Sequence, residues 1–270
     1  MTTKSLQRTM LNSAIQSDLG MTSFIDLSIA LIRAHEPPEG YYVAFSGGKD
    51  SIVILDLVKR AGVKYETHFH RTTVDPPEIL NFIRTNYPEA VWDKPAKSMF
   101  QLIRETGCLP TRFKRFCCRA LKEMGGKGRT VILGTRAQES FRRRNRSVFQ
   151  ESTRTKGKWL LQPIFYWHTN DIWAYIRSRG LPYCSLYNEG YTRVGCIMCP
   201  CNSRRGMERD AQRFPKFYQA YMKTIHYLRE QGKYQDFRND QEVMDWWMQK
   251  IPIPPMASKV EQVIIPVRGE

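Results

Sequence analysis

The sequence of 270 residues, with a mass of 31.7 kDa, is long enough for one full domain with an appendage but short for two equal domains. It contains 42 Lys and Arg residues against 26 Asp and Glu residues, a formal net charge of +16. Such a surplus attracts nucleotides or polyanions, although a merely solvated basic surface is an alternative because charge alone identifies no partner. No apolar run is long enough to cross a bilayer, so we predict no membrane role.

Strands and helices alternate from residue 24 to residue 180. Apolar residues at helical spacing predict a first helix over residues 24–34, which prolines and a glycine at 37–40 end. The predicted strands are residues 41–45, 63–70, 90–95 and 129–135, and the predicted helices between and after them are residues 52–62, 76–88, 97–105 and 170–180. This alternation predicts an α/β fold with a doubly wound parallel sheet.

The pattern of alternating strands and helices ends near Cys196. Residues 208–232 and 239–250 are polar and aromatic at helical spacing, and a proline-rich tail of residues 251–267 follows. We predict two regions, a nucleotide-binding α/β domain of residues 1–195 and a cysteine-containing helical extension of residues 196–270 that packs on it.

The cysteines and the N-terminus indicate the compartment. The cysteines number seven, an odd count, and residues 1–20 are polar and lack the apolar core of a secretory leader. We therefore predict a reducing, cytoplasmic location without disulfides. For the solitary Cys108 and Cys184 we predict buried, unreactive side chains.

The other cysteines have the spacing of a metal site. Cys196 and Cys199 form a C-x-x-C pair that lets two thiolates reach one metal ion, whereas adjacent Cys117 and Cys118 need a local kink to converge. Zinc and an iron–sulfur cluster both suit four thiolates, and the spacing does not choose between them. Cys201 either replaces one of these ligands or stays a free thiol.

The segment HFH ends the predicted strand 63–70. Within HFH only His68 and His70 share a face of that strand, and we expect no carboxylate close by. We therefore predict a strand end here and not a metal site.

The segment SGGKDS, Ser46–Ser51, follows the strand 41–45 and enters a helix. Such a place binds anions, because glycines let backbone amides approach phosphate oxygens and the helix N-terminus is partly positive. Lys49 adds a cation, and Asp50 is explained if Mg²⁺ bridges its carboxylate and the phosphates. A structural turn capped by Asp50 or Ser51 is the alternative. The predicted nucleotide ligands are Ser46, Gly47, Gly48, Lys49, Asp50 and Ser51.

SGGKDS after a strand is similar to the PP-loop of the ATP pyrophosphatases, which cleave ATP between the α and β phosphates. The later motifs are RFCCRALK (115–122), GTRAQESFRRR (134–144), PIFYWHTNDIWAYI (163–176) and LYNEGYTRVGCIMCP (186–200). In this order, over residues 24–205, they resemble the phosphoadenosine and adenosine phosphosulfate reductase family. The resemblance implies a PP-loop fold like that of the adenine nucleotide α hydrolases.

The resemblance also implies roles for individual residues. It implies ATP as a cofactor and a [4Fe-4S] cluster held by Cys117, Cys118, Cys196 and Cys199. Arg136, and with less weight Arg142–Arg144, would face phosphate or sulfate, although a solvated basic face is the alternative for Arg143 and Arg144. Thr73 and Gly134 would contact the nucleotide, while Lys49, Asp50 and Arg136 would act in catalysis. Glu139 and Ser140 match a pair in the family without an assigned role.

The resemblance breaks at the C-terminus. The reductases of the family carry a nucleophilic cysteine in a C-terminal E-C-G-L-H segment, whereas this sequence ends VIIPVRGE and has no cysteine after Cys201. Our leading hypothesis is therefore an ATP pyrophosphatase-type enzyme that adenylylates its substrate for sulfur transfer. It would resemble the DNA phosphorothioation enzymes of the Dnd and Ssp type, with DNA as acceptor and a cysteine desulfurase as sulfur donor.

Two alternatives stay open at this point. The first is a phosphoadenosine or adenosine phosphosulfate reductase that uses a thiol in trans. The second is a non-enzymatic, nucleotide-sensing, DNA-binding regulator that contains an iron–sulfur cluster.

Overall fold

The computed structural model describes residues 21–252 of the chain. Their contacts form two compact units. The first contains residues up to 70, 77–94 and 124–194, and the second contains residues 71–76, 95–123 and those from 195 onward. The predicted division after residue 195 stays a prediction for the domain organisation. The predicted polar start, residues 1–20, and the proline-rich tail from residue 253 onward lie outside the described residues.

A six-stranded sheet lies in the first unit. Its strands are β1 Tyr41–Phe45, β2 Tyr65–His70, β3 Val91–Asp93, β4 Thr130–Ile132, β5 Phe149–Glu151 and β6 Trp159–Leu161. The order across the sheet is β3-β2-β1-β4-β6-β5, with every neighbouring pair parallel except β5 with β6. The predicted parallel α/β fold is confirmed. The antiparallel edge of β5 and β6 is an addition that the sequence pattern did not reveal, because each strand spans only three residues.

The chain reverses its course across the sheet beside β1. It proceeds outward from β1 through β2 to β3, and then returns to place β4 on the other side of β1. Tyr42 of β1 is therefore in register with Glu66 of β2 and with Val131 of β4. In open α/β sheets, a ligand binds beyond the carboxyl ends of the strands at such a reversal. The ends of β1 and β4 are therefore the place in this fold where a ligand site is expected.

The helices surround this sheet or form the second unit. In chain order they are α1 Met21–Ala34, α2 Lys49–Ala61, α3 Pro77–Asn86, α4 Met99–Thr106, α5 Phe116–Leu121, α6 Phe141–Arg144, α7 Thr169–Ser178, α8 Arg204–Arg213, α9 Pro215–Glu230 and α10 Asp240–Trp247. Short 3₁₀ turns cover Ala137–Glu139 and Ser185–Tyr187. No helix within residues 21–252 is long and apolar enough to cross a membrane.

Helix α2 is buried around most of its circumference, and both α1 and α7 pack against it. Its buried apolar side chains are Ile52, Val53, Ile54, Leu55, Leu57, Val58 and Ala61. The helix begins at Lys49, three residues before the predicted start at 52. It ends where predicted, because Gly62 adopts the left-handed conformation that closes a helix and donates its amide to the Lys59 carbonyl. The phosphate segment is thus the first turn of a rigid central helix.

The second unit is helical. Helix α9 contacts α4, α8 and α10. The fully buried ring of Tyr221 lies 4.6 Å from Trp247 and 5.0 Å from Phe100 between ring centroids. The buried indole N–H of Trp247 donates to the carbonyl of Pro110 at 2.7 Å. These aromatic side chains fix the chain that leads into α5.

The segment HFH ends β2 as predicted, but the expectation that no carboxylate lies close by is wrong. Parallel pairing places Asp93 of β3 opposite His70. The Asp93 carboxylate lies 3.0 Å from His68 Nδ1 and 3.4 Å from His70 Nε2, and it accepts a hydrogen bond from the Tyr42 hydroxyl at 2.9 Å. A neighbouring strand supplies this carboxylate, so spacing along the chain did not reveal it.

The bond between Tyr41 and Ile32 gives a test of how α1 is tied to the sheet. The hydroxyl of the fully buried Tyr41 donates to the Ile32 carbonyl in the last turn of α1 at 2.7 Å. Tyr41→Phe leaves this carbonyl without its donor, so we expect a loss of about 1–2 kcal/mol in the free energy of unfolding. Calorimetry should then show a melting temperature lower by about 2–4 °C per kcal/mol. Tyr218→Phe is the control, because that hydroxyl bonds the exposed Gln241 side chain; equal shifts in both variants would contradict the expectation.

Candidate functional site

Ser46–Ser51 forms a closed loop between β1 and α2. The Ser51 hydroxyl donates to the Gly48 carbonyl at 2.8 Å and accepts hydrogen bonds from the amide and the hydroxyl of Ser46, both at 3.2 Å. Ser51 is 5% exposed. Its hydroxyl therefore holds the loop in shape, and its predicted contact with phosphate stays a prediction.

The two glycines of the loop meet close neighbours. Gly47 has φ of 70°, and a Cβ there would lie 3.0 Å from Ile83 of α3. Gly48 is the N-cap residue of α2 and supplies no side chain to cap it. The first turn of a helix leaves amide N–H groups without intrahelical acceptors. These amides, with the positive end of the helix, suit an anion.

Tyr187 is a neighbour of the loop that the sequence analysis did not single out. Its hydroxyl accepts a hydrogen bond from the Lys49 amide at 2.9 Å, and a Cβ on Gly48 would lie 3.5 Å from the same oxygen. Burial raises the pKa of this hydroxyl well above its usual value, so the group stays neutral. Tyr187 belongs to the LYNEGYTRVG motif, but sequence alone gave no reason to join that motif to the loop.

Asp50 joins two cations. Its Oδ2 lies 2.9 Å from Lys49 Nζ, and its Oδ1 lies 2.7 Å from Arg136 Nε. The side chains of Lys49 and Arg136 are 7% and 4% exposed, and that of Asp50 is 20% exposed. One carboxylate thus balances two largely buried cations, which leaves the cluster with a net charge of about +1 beside the helix N-terminus.

Arg136 is held by more than Asp50. Its Nη1 donates to Gln138 Oε1 at 2.9 Å and to the Trp167 carbonyl and Thr169 Oγ1, both at 3.3 Å. The sequence predicted an arginine that faces phosphate. The structure shows a buried guanidinium that bonds Asp50. The predicted contact of Arg136 with phosphate stays a prediction.

Gly134 brings the end of β4 against the loop. A Cβ on this residue would lie 3.1 Å from the Cβ and the carbonyl carbon of Asp50. A side chain at residue 134 would therefore push on the first turn of α2. This close approach explains the glycine, while its predicted contact with a nucleotide stays a prediction.

Glu139 and Arg143 form a separate pair. The Glu139 carboxylate accepts a hydrogen bond from the Arg136 amide at 3.1 Å and forms an ion pair with Arg143. Ser140 is the N-cap residue of α6. The Glu139–Ser140 pair, for which the sequence gave no role, therefore shapes the turn after Arg136.

Thr73 lies in the second unit, with an uncommon backbone conformation. Its φ is 65°, rare for a β-branched residue, and its hydroxyl accepts the Met99 amide at 2.9 Å. Asp75 accepts hydrogen bonds from the amide and the hydroxyl of Thr72, each at 2.7 Å. The predicted contact of Thr73 with a nucleotide stays a prediction.

The clustered cysteines all lie in the second unit. A hydrogen bond from Cys117 and the guanidinium of Arg115, 3.4 Å from the sulfur, lower the pKa of Cys118 to about 5. The same hydrogen bond and burial raise the pKa of Cys117 well above its usual value. A hydrogen bond with Cys201, then burial, raise that of Cys199. Cys201 is therefore part of the cluster.

Cys196 is tied to the turn at residues 71–76. Its thiol lies 3.5 Å from the Thr72 hydroxyl, and the next amide, of Ile197, donates to the Val74 carbonyl at 2.8 Å. The nearby thiol of Cys196 raises the pKa of Lys122 above its usual value. A cation beside several thiols suits a site that carries negative charge.

The clustered cysteines have the donor atoms that a thiolate-bound metal group needs, but in the described part of the chain their positions do not form a metal site. Among residues 21–252, no three or more His, Cys, Asp or Glu side chains are arranged to hold a metal ion. The predicted metal ligands therefore stay a prediction.

The solitary cysteines differ from each other. Cys184 is buried, as predicted. Cys108 is partly exposed, contrary to the prediction, because it follows the last turn of α4.

The sequence profile of the phosphoadenosine phosphosulfate reductase domain matches residues 40–202. The chain is 30% identical over 187 residues to an adenosine 5'-phosphosulfate reductase of Neisseria meningitidis, covering 63% of this chain and 76% of that protein. These matches confirm the resemblance that the ordered motifs predicted. The relation to the DNA phosphorothioation enzymes stays a prediction.

Longer relatives and a solved structure are also similar. The chain is 29% identical over 196 residues to an uncharacterised protein of Methanocaldococcus jannaschii, covering 68% of this chain and 41% of that protein. It spans about half the length of that protein and of another from the same organism, of which 54% is covered. The phosphoadenylyl-sulfate reductase of Candida auris, solved with phosphate, has a TM-score of 0.50 at 18% identity, covering 68% of this chain and 97% of that one. At this identity the likeness shows the fold alone.

The Asp50 cluster gives a stability test. Asp50→Asn leaves the buried Arg136 and Lys49 cations without their counter-charge, so we expect a loss of about 3 kcal/mol in the free energy of unfolding. Lys59→Ala is the matched control, because the Lys59–Glu89 pair has the same 2.9 Å distance but is 43% and 44% exposed. Its loss should stay below about 1 kcal/mol. Urea titration of both variants measures the difference, and a control loss as large as that of Asp50→Asn would disprove the structural role of the cluster.

Proposed function

Because the chain belongs to the phosphoadenosine phosphosulfate reductase domain family, we propose that its phosphate loop binds ATP and cleaves it between the α and β phosphates. The observation that carries the proposal is the linked set of Lys49, Asp50 and Arg136 at the ends of β1 and β4. This set holds the ammonium group of Lys49 beside Asp50 in the first turn of α2, where an anion is favoured. The family is one of enzymes, which supports turnover over binding alone.

Lys49 is the residue that would meet the phosphates. Its ammonium group now lies on Asp50 Oδ2, while Arg136 occupies Oδ1. If Lys49 turns toward a phosphate, Asp50 keeps Arg136 as its partner, so no carboxylate is left unpaired. The free-energy cost of moving the Lys49 ammonium group from Asp50 to a phosphate is therefore small. The Asp50–Arg136 pair keeps the loop in place.

The proposed reaction is attack of an acceptor oxygen on the α phosphorus of ATP. The new bond joins that oxygen to the α phosphorus, the bond from the α phosphorus to the bridging oxygen breaks, and pyrophosphate leaves with the electron pair. Negative charge grows on the leaving oxygens, which Lys49 and the amides of the first turn of α2 would stabilise. The product is an adenylylated acceptor, activated for displacement by sulfur.

Mg²⁺ is proposed to enter with the nucleotide. Mg²⁺ is often held by one or two carboxylates together with substrate phosphates. Asp50 is the carboxylate at the loop, but it already binds two cations. The phosphates of ATP would therefore supply most ligands of the ion, which adds neutralising charge at the leaving group.

We further propose that the acceptor is nucleic acid, most simply DNA, and that a cysteine desulfurase supplies the sulfur. The net charge of +16 supports a polyanionic partner. A backbone phosphate must be activated before sulfur can replace one of its oxygens, and adenylylation does this. Reduction of a phosphosulfate is the second candidate. It is favoured by the 30% identity to the adenosine 5'-phosphosulfate reductase of Neisseria meningitidis.

We propose a [4Fe-4S] cluster on Cys117, Cys118, Cys196 and Cys199. The support is that these thiols and the cation of Lys122 lie in one unit, with interactions among them. Thiolates are the usual ligands of such clusters. Bound there, the group would supply structural cross-linking or electron transfer, and the fold of the second unit would hold its ligands.

Radiolabelled ATP tests the proposed cleavage. With Mg²⁺ and DNA, label at the α phosphate should appear in AMP or an adenylylated product, and label at the γ phosphate in pyrophosphate. Lys49→Ala should lower the rate by roughly 10²–10³-fold, because it removes a group that stabilises the leaving charge. Lys59→Ala, at the other end of α2, should keep the full rate.

Three outcomes would count against the proposed cleavage. ATP that stays intact with DNA and a sulfur donor present would overturn it, and so would release of orthophosphate alone, since the α–β bond would then be unbroken. Sulfite release from a phosphosulfate in the presence of a thiol reductant, with ATP left intact, would establish the second candidate instead.

Iron and acid-labile sulfide in anaerobically purified protein test the cluster. Cys196→Ser and Cys118→Ser should each lose most of the iron and sulfide, because each removes one thiolate ligand. Cys108→Ser and Cys184→Ser are matched controls and should retain both. One zinc per chain and no sulfide in the unmodified protein would sink the iron–sulfur assignment.

A further inference from the structure

Residues 111–115, TRFKR, form a turn in the second unit that leads into α5. Phe113 in this turn is 90% exposed, the largest exposed fraction among the large apolar side chains that the structure describes. Burial of a phenylalanine side chain is worth about 1.5–3 kcal/mol, so full exposure forgoes that stabilisation. The ring is therefore accessible to a ligand.

The turn is held in a defined shape. The Thr111 hydroxyl accepts the amides of Phe113 and Lys114 at 3.2 and 3.0 Å, and the Thr111 amide donates to the Lys114 carbonyl at 3.1 Å. The Arg115 amide donates to the Phe113 carbonyl at 3.1 Å. Hydrogen bonds thus close the turn on both sides of Phe113, and the ring is presented to solvent by a fixed backbone.

Arg112 fastens the same turn to the rest of its unit. Its Nε donates to the Pro200 carbonyl at 3.0 Å, and its Nη2 donates to the Asn202 carbonyl at 2.8 Å and to Gln249 Oε1 at 3.2 Å. Next to the turn, the buried indole of Trp247 bonds Pro110. These hydrogen bonds therefore fix the backbone that carries Phe113.

The surroundings of the ring in sequence are basic. Residues 111–122 contain five basic side chains and no acidic one. They are Arg112, Lys114, Arg115, Arg119 and Lys122. In the described part of the second unit, the only other exposed large apolar side chain is Tyr227 of α9. Phe113 is thus a single exposed aromatic ring with basic neighbours in the sequence, and not part of a broad apolar patch.

We propose that this turn binds single-stranded nucleic acid, with an unpaired base stacked on Phe113 and backbone phosphates on Lys114 and its basic neighbours. Each nucleotide offers one aromatic base and one phosphate, which matches one exposed ring beside cations. A protein interface would instead need a larger apolar core. The turn belongs to the second unit and the phosphate loop to the first, and the proposed binding requires no cleavage of ATP.

Fluorescence anisotropy without ATP tests the turn. The probe is a labelled single strand of about 12 nucleotides, within the usual site size of such proteins, and a duplex of the same sequence. Phe113→Ala should weaken single-strand binding by about five-fold or more, the equivalent of at least one stacked base. Phe113→Trp should restore it. An unchanged melting temperature is expected, because the ring is exposed.

Matched variants separate stacking from charge. Tyr227→Ala removes the other exposed aromatic side chain of the unit and should leave the affinity unchanged. Lys114→Ala should lower the slope of log affinity against log salt by about 0.7, the value for one phosphate contact on a single strand. Lys216→Ala removes an exposed lysine elsewhere in the unit and should leave that slope unchanged.

Four results would overturn the proposal. They are an unchanged affinity of Phe113→Ala, an equal loss on the duplex, absence of binding at low salt, and competition by polyglutamate as strong as that by the unlabelled strand. The last result would indicate an acidic protein as partner. Because ATP is absent, none of them bears on nucleotide cleavage, and loss of cleavage in Lys49→Ala leaves this binding test intact.

Discussion

The two bonds of the Asp50 carboxylate organise the candidate site. One oxygen holds Lys49 beside it on α2, and the other holds Arg136, which follows β4. The pair therefore joins the segments that leave the two strands on either side of the reversal in the sheet. Gly134 permits this approach, since a side chain there would meet Asp50. The position of the lysine depends on that one carboxylate, which also adds a bond to the guanidinium that Gln138 and Trp167 hold.

In the second unit as well, segments that are distant in the sequence meet around a short turn. Residues 71–76 leave β2 and bond the segment that carries Cys196, while α5 carries Cys117 and Cys118. Thiols from two parts of the sequence thus come together without a disulfide between them. The pKa values of Cys117 and Cys118 shift in opposite directions because their shared hydrogen bond favours a thiol at Cys117 and a thiolate at Cys118.

The sequence predicted those features that residues close together in the chain determine. Apolar spacing and Gly62 located α2, and SGGKDS after a strand located the phosphate loop. It did not predict partners that only the fold brings together, such as Tyr187 at the Lys49 amide or Asp93 beside His68. Nor did it predict the bond of Arg136 to Asp50, because the motif alone does not show which buried carboxylate a guanidinium meets.

The arrangement around Asp50 also explains why two cations are present where one would balance the charge. Arg136 is fixed by hydrogen bonds to Gln138 and Trp167 as well as by the carboxylate, so it stays in place. Lys49 has a flexible stem, and its ammonium group makes its bond to the same carboxylate from the adjacent position. If an anion binds there as proposed, Lys49 is the cation that can change partner, while Arg136 keeps the Asp50 carboxylate paired. A carboxylate beside the proposed anion site is therefore compatible with binding, because an arginine held by several hydrogen bonds already balances its charge.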